Sequence, residues 1–281
     1  MTALLTLLLC LLSAPRAPGQ EAFAPLSERL DLDRRQARFD LPRRLAEVSG
    51  LAFTHDGRLL AHGDERGLVY AVDPLTGAVD RGFEVGSPPV MDDLEALATA
   101  GDRLFLASSG GRLYEFRRVA EGTGSPVRVT DTGLGDACEV EGLAYHPASD
   151  CLVLACKTSR DGPDEVRVHF LPLSPGAAVP SPLRVPSAAF HDQGYRGPVN
   201  PSGLEVDPTT GSLVIVAARQ GLLFEIDLNG RLLDVVRLPS GRHPQPEGIA
   251  FGPDGRLYIA DEAGDGTARL TVYGPREKAA P

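Results

Sequence analysis

Glu141-Gly-Leu-Ala-Tyr145 is the middle copy of a five-residue phrase that recurs along the chain. The five copies are Ser49-Gly-Leu-Ala-Phe53, Glu95-Ala-Leu-Ala-Thr99, Glu141-Gly-Leu-Ala-Tyr145, Ser202-Gly-Leu-Glu-Val206 and Glu247-Gly-Ile-Ala-Phe251. Their second positions are separated by 46, 46, 61 and 45 residues. Intervals of about 45 residues are typical of a β-propeller, in which each repeat is a four-stranded blade. The sequence therefore predicts an all-β fold.

Each copy leads into turn residues and further apolar runs. The fourth copy, for example, is followed by Asp207-Pro-Thr-Thr-Gly211 and then by the runs 213–216 and 222–226. Short apolar runs bounded by turn formers indicate antiparallel strands. We expect a single propeller domain over residues 36–275 with five blades, or six if the 61-residue interval hides a degenerate blade. The Pro-rich stretch 172–201 within that interval is interpreted as an extended surface loop.

The two ends of the repeat array predict how the ring closes. The last repeat stops near Tyr273 after three strands, and Gln36-Ala-Arg-Phe-Asp-Leu41 precedes the first repeat without a hairpin partner. We expect this N-terminal strand to complete the last blade, because closure removes exposed sheet edges. Residues 20–35 are then a linker and residues 276–281 a C-terminal tail.

Composition and charge exclude some classes of function. The 281 residues are 42% hydrophobic and carry a net charge of −10, which favours a folded domain and disfavours nucleic-acid binding. The apolar run at the start predicts a signal peptide over residues 1–19, and hence an extracytoplasmic protein, periplasmic or secreted, with no membrane span in its mature form. Cys10 leaves lipidation and membrane anchoring open as the less favoured alternative. We expect a monomer.

The innermost strand of each blade places polar residues at one mouth of the central channel. The first position of the phrase holds Ser49, Glu95, Glu141, Ser202 and Glu247, and two positions earlier stand Glu47, Asp93, Glu139, Asn200 and Gln245. Hard oxygen ligands in an irregular ring favour Ca²⁺, with Mg²⁺ as an alternative. The candidate metal ligands are Glu95, Glu141, Glu247, Glu47, Glu139 and Asn200. The alternative is that these groups cap the strands and bind channel water.

The second strands run antiparallel to the first and return to the same mouth. They place there the candidate ligand-binding residues Asp64, Lys157, Arg219, Asp261 and Glu262. Lys157 and Arg219 could neutralise the acidic ring or receive an anionic group of a ligand. The same pairing brings Cys138 near Cys156, so that a disulfide between them is an open alternative.

Three phrases resemble the SdiA-regulated family of exported or membrane-anchored bacterial propellers. They are Asn200-Pro-Ser-Gly-Leu-Glu-Val-Asp-Pro-Thr-Thr-Gly-Ser-Leu, Leu223-Phe-Glu-Ile-Asp-Leu-Asn-Gly-Arg-Leu-Leu and Pro246-Glu-Gly-Ile-Ala-Phe with Leu257-Tyr-Ile-Ala-Asp-Glu262. The resemblance implies a propeller, an extracytoplasmic location and a Ca²⁺ site at Glu141 and Glu247. The chain departs from the family pattern at Gly63-Asp-Glu-Arg-Gly67, where an Asn-Asp pair is expected, and this leaves the role of Asp64 open.

The sequence supports three hypotheses about function. The preferred one is a binding propeller, whose mouth holds a divalent cation and recognises a small-molecule or protein ligand, because no nucleophile and base are paired in a known motif. The second is a Ca²⁺-dependent hydrolase of lactone, ester or phosphoester substrates, similar to gluconolactonase-like or phytase-like propellers. The third is a purely structural interaction domain.

Overall fold

A computed structural model describes residues 24–160, 162 and 164–277. The predicted signal peptide lies outside these residues. No helix in the described part of the chain has the length and apolar character needed to cross a membrane.

The described chain is built almost entirely of short strands. There is one turn of α-helix, α1 (Leu26–Arg29), and there are four 3-10 helices, at Arg43–Leu45, Pro147–Ser149, Ser187–Gln193 and Ala218–Gln220. The strands are β1 (Leu30–Asp40), β2 (Val48–Phe53), β3 (Leu59–Gly63), β4 (Leu68–Val72), β5 (Phe83–Val85), β6 (Leu94–Ala100), β7 (Arg103–Ser108), β8 (Arg112–Phe116), β9 (Gly124–Ser125), β10 (Arg128–Asp131), β11 (Cys138–His146), β12 (Cys151–Ser159), β13 (Glu165–Pro172), β14 (Leu183–Pro186), β15 (Gly203–Val206), β16 (Leu213–Ala217), β17 (Leu222–Ile226), β18 (Leu232–Arg237), β19 (Pro246–Phe251), β20 (Leu257–Asp261) and β21 (Arg269–Pro275).

These strands form five antiparallel blades, as predicted. The sheets are β2-β3-β4-β5 with β9 added in parallel, β6-β7-β8-β10, β11-β12-β13-β14, β15-β16-β17-β18 and β19-β20-β21-β1. The innermost strands contact one another in the order β2, β6, β11, β15, β19 and back to β2, which closes a five-membered ring around the axis. Each repeated phrase lies on or at the start of one of these innermost strands.

The N-terminal strand completes the last blade, as predicted, but it begins earlier than expected. In this pairing Phe39 lies opposite Leu270 and Ala37 opposite Val272. The strand starts at Leu30 and not near residue 36, because Leu26, Leu30 and Leu32 are buried in the core between the fourth and fifth blades. Much of the segment predicted as a linker is therefore part of the propeller.

The long interval between the third and fourth repeats contains regular structure. Strand β14 is the outer strand of the third blade, and the 3-10 helix Ser187–Gln193 follows it. Phe190 in that helix is fully buried against Phe224, with ring centroids 5.1 Å apart. The prediction of an extended loop over 172–201 was therefore wrong in part, and the described residues leave no room for a sixth blade.

The glycine in the phrase allows neighbouring blades to approach closely. A Cβ atom added at Gly142 would lie 2.8 Å from the Cβ of Leu204, and one at Gly248 would lie 2.8 Å from the Cγ of Leu51. Both neighbours belong to the next innermost strand around the ring. The repeated glycine is thus explained by packing at the axis, where a larger residue would separate the blades.

Candidate acidic site at the channel mouth

A β-bulge occurs at the first residue of the phrase in four of the five blades. Leu94 and Ala96 pair with the adjacent residues Ser108 and Ala107, which leaves Glu95 unpaired in the ladder. The same irregularity isolates Ser49, Glu141 and Glu247 in their strands. A bulge bends the strand and redirects the side chain of the extra residue, and it is common next to functional sites.

The bulged residues lie around the central channel. Ser49, Glu141 and Glu247 line one central cavity together with residues of β6 and β15. Glu141 is buried, and Glu95 and Glu247 are partly buried. In the fourth blade, Ser202 Oγ donates to the carbonyl of Pro246 over 2.7 Å and accepts from the Ala218 backbone nitrogen. That serine therefore joins two blades, while the three glutamates supply the acidic character of the ring.

Burial raises the pKa of all three glutamates, and the charge of Glu141 adds to the rise at Glu95 and Glu247. Burial raises the pKa of Glu95 to about 9, and the nearby charge of Glu141 adds to the effect. Burial likewise raises the pKa of Glu247 to about 9, again with a contribution from Glu141. The pKa of Glu141 rises to only about 7, because Lys157 partly offsets its burial. The mouth therefore holds more carboxyl groups than Lys157 can neutralise.

Lys157 is the cation within this ring. Its Nζ donates to Glu141 Oε1 over 2.5 Å and lies 3.7 Å from Glu139 Oε1. Burial opposes the charged form, but the hydrogen bond and charge of Glu141 outweigh it and raise the pKa of Lys157. Lys157 therefore remains charged and balances one carboxylate of the mouth.

The residues two positions before the ring form an exposed rim. Glu47, Asp93 and Gln245 are exposed, and the side chain of Glu139 is 42% exposed. The expected alternation would have placed them beside the ring residues, but the bulge interrupts it. Glu139 Oε2 accepts from Thr158 Oγ1 over 3.0 Å.

Asn200 differs from the other candidate metal ligands, since its side-chain amide is already occupied. Nδ2 donates to the carbonyl of Lys157 over 2.9 Å, and Oδ1 accepts from Gln220 Nε2 over 2.7 Å. The residue therefore joins the third blade to the fourth.

The second strands deliver some of their predicted residues to the mouth. Burial raises the pKa of Glu262 to about 7, with added effects from Asp64 and Glu47, so these carboxyls lie near one another. Burial, followed by the charge of Glu47, also raises the pKa of Asp64. Arg219 is exposed in the 3-10 helix Ala218–Gln220. No ion pair of Arg219 occurs among the described residues.

Asp261 lies in the interior. Its Oδ2 is 2.8 Å from His243 Nδ1, and His243 Nε2 is 2.6 Å from the hydroxyl of Tyr273. All three side chains are buried. The sequence placed Asp261 among the ligand-binding residues, but this structure gives it a buried hydrogen-bonded partner and no solvent access.

The cysteines form the disulfide that the strand pairing allowed. Cys138 and Cys156 are bridged, and their Cα atoms are 5.6 Å apart. In the described part of the chain, the group of three possible metal-binding atoms within 4.8 Å of one another is these two sulfurs and a nitrogen of His169. Because both sulfurs are in the disulfide, they are not available to a metal. Among the described residues, no three ring carboxylates bring their oxygens within 4.8 Å of one another, so these groups surround the mouth at a distance.

Sequence reasoning missed a second acidic feature, Glu205, which lies at the opposite end of the channel. Burial raises its pKa to about 8. The available signal was the phrase itself, because Glu205 occupies the fourth position, where the other four copies have alanine.

The comparisons with known proteins agree with this architecture. Residues 129–264 match the protein-family model described as SdiA-regulated, which confirms the resemblance over that segment. No curated protein matches the chain in sequence. The matched segment contains the last three copies of the repeated phrase.

Several solved structures share the fold. Glutaminyl cyclase from Myxococcus xanthus is 18% identical with a TM-score of 0.58, covering 87% of this chain and 97% of that one. A luciferin-regenerating enzyme is 11% identical with a TM-score of 0.56, covering 87% and 98%. The PQQ-bound aldose sugar dehydrogenase from Streptomyces coelicolor is 14% identical with a TM-score of 0.55, covering 90% and 100%. At these identities the likeness concerns the fold alone.

Proposed function

We propose that this propeller, whose residues 129–264 carry the SdiA-regulated signature, is an extracytoplasmic binding protein with a divalent cation at its channel mouth. The observation that carries the proposal is the set of bulges that place Glu95, Glu141 and Glu247 around one opening. Carboxylate oxygens are the ligands that Ca²⁺ and Mg²⁺ prefer. The cation would organise the surrounding loops for a small-molecule or protein ligand.

The donor set fits a cation that retains part of its water shell. The three glutamates supply oxygen ligands, and Glu262 and Asp64 add charge nearby. Because the carboxylates surround the opening, water molecules would complete the coordination, as both ions allow. Asn200 is not required, since its amide is bonded within the protein.

The extracytoplasmic location is supported by the disulfide and by the apolar run at the start of the sequence. Disulfides persist in oxidising compartments and are rare in the cytosol.

Calorimetric titration of chelator-treated protein with Ca²⁺ and Mg²⁺, together with thermal melts, tests the cation site. We expect one-site binding and a melting temperature that rises with cation concentration. Glu141→Gln and Glu247→Gln should each weaken binding at least tenfold, whereas Glu121→Gln, at an exposed loop position, should leave it unchanged. Absence of binding would make the ring a hydrated cap and refute the cation site.

The same protein should be assayed for hydrolysis of lactones, aryl esters and phosphomonoesters, with and without chelator. A binding protein gives no turnover. Turnover that chelator removes and that Glu141→Gln abolishes would instead establish the metal-dependent hydrolase.

A further inference from the structure

The end of the channel opposite the acidic ring is a separate pocket of about 200 Å³. Its walls come from the last residues of the innermost strands, among them Phe53, Tyr145 and Phe251. The ring residue is the first of each phrase and the pocket residues are the fourth and fifth, so the two sites are roughly 10 to 13 Å apart along the strand. The pocket is therefore independent of the cation site proposed above.

Glu205 is the acidic residue in this largely apolar lining. The same position of the phrase is Ala52, Ala98, Ala144 and Ala250 in the other four blades. Glu205 Oε1 accepts a hydrogen bond from the backbone nitrogen of Val206 over 2.8 Å. No hydrogen bond to Oε2 occurs among the described residues, so one oxygen of the carboxyl is left for a ligand.

The other polar groups of the pocket wall already have partners. Thr99 Oγ1 donates to the carbonyl of Phe53 over 2.6 Å. The hydroxyl of Tyr145 donates to Asp150 Oδ1 over 3.0 Å. The Phe53 ring packs edge-on against Tyr258, with centroids 5.1 Å apart. The wall is thus a fixed aromatic surface, and Oε2 of Glu205 is its polar side-chain atom without a hydrogen bond among the described residues.

We propose that this pocket binds a small organic cation, an ammonium group attached to an apolar body, with the charge against Glu205 and the apolar part between Phe53, Tyr145 and Phe251. Aromatic faces attract cations, and a carboxylate beside them adds a direct ion pair. A ligand cation would also stabilise the ionised form of a carboxyl that burial otherwise disfavours. An apolar cavity of about 150 Å³ holds benzene, so this pocket suits a ligand of the size of benzylammonium.

Calorimetric titration of the intact protein with benzylammonium at neutral pH tests the proposal. Benzyl alcohol and benzoate serve as the neutral and anionic probes of the same shape. We expect benzylammonium to bind at least tenfold more tightly than either, and its binding to weaken at least tenfold in Glu205→Gln and Glu205→Ala. Glu28→Gln, at an exposed site on α1, should bind like the parent protein.

Folding of the variants is checked by thermal melts, and Glu205→Ala restores the residue that four blades already carry. NMR shifts of the Phe53, Tyr145 and Phe251 rings should follow the titration and place the ligand in the pocket. Equal binding of benzyl alcohol, tighter binding of benzoate, benzylammonium binding that survives in both variants, or no binding of any probe at millimolar concentration would each overturn the proposal.

Discussion

Lys157 Nζ lies 2.5 Å from Glu141 Oε1, inside a ring that otherwise holds acidic and neutral groups. The two residues belong to the first and second strands of the third blade, and both sit where the pairing of those strands is irregular. The lysine therefore occupies the place at which a bound cation would compensate Glu141. Lys157 and a bound divalent cation should therefore compete for the negative charge of Glu141.

Replacing Lys157 with methionine should strengthen cation binding. Removing the positive charge leaves Glu141 free to bind the ion, and we expect Ca²⁺ affinity to rise about tenfold, or ~1.4 kcal/mol. Calorimetric titration measures the change. Arg219→Met is the matched control, because Arg219 is an exposed cation on the next blade, and it should change the affinity less than threefold. Weaker binding in Lys157→Met would show that the lysine supports the site and does not compete with it.

Arg29 should be among the most important residues for stability. It donates to Glu225 Oε1 over 2.6 Å and to Asp207, and both carboxylates are almost completely buried. Arg29→Met leaves two buried charges without their partner, and we expect the free energy of unfolding to fall by about 3 to 5 kcal/mol. Denaturant unfolding measures it.

Arg38→Met, in the same N-terminal segment, is the control for this change. Arg38 lies 3.9 Å from Asp40, and both side chains are exposed, so its removal should change stability by less than about 1 kcal/mol. Equal losses in the two variants would mean that the N-terminal segment contributes through its backbone pairing alone.

The sequence predicts the fold and much of the acidic ring because both follow from one repeated phrase. Its period indicates a blade, and its first position places Glu95, Glu141 and Glu247 around the axis. The rim and the Asp261–His243 pair were not predictable in the same way. A β-bulge depends on how two strands pair. The alternation of side chains along one strand predicts that Glu47 lies beside Ser49, but it cannot predict the bulge at Ser49. The partner of Asp261, His243, lies 18 residues earlier in the chain, on the loop that leads into β19.

His62 should make the protein less stable in mild acid. The residue is fully buried, and burial lowers its pKa from 6.5 to about 4. The unfolded chain therefore binds a proton between these values and the folded chain does not, so the stabilising contribution is complete above pH 6.5 and is lost as the pH falls towards 4. The full loss is about 3 kcal/mol.

Urea unfolding of the parent protein and of His62→Gln at pH 7 and pH 5 isolates this effect. The carboxyls with raised pKa act in the opposite direction, since their protonated form is favoured by folding, but they are common to both proteins. We expect the difference in stability between the two proteins to shrink as the pH falls. A difference that does not change with pH would show that His62 takes up its proton in the folded protein as readily as in the unfolded chain.

The Cys138–Cys156 disulfide should stabilise the third blade, since it joins its two inner strands across a separation of 18 residues. Closing a loop of this length lowers the entropy of the unfolded chain and so stabilises the folded protein by about 3 kcal/mol. The double variant Cys138→Ser, Cys156→Ser should therefore unfold at lower denaturant concentration than the parent protein. Reducing agent should destabilise the parent protein and leave the double variant unaffected.

Thiol titration of the denatured parent protein checks the bridge directly. The number of reactive thiols should rise by the two bridged cysteines after reduction, while Cys151 reacts in both states. An unchanged thiol count would mean that the cysteines are not bridged in the protein as purified.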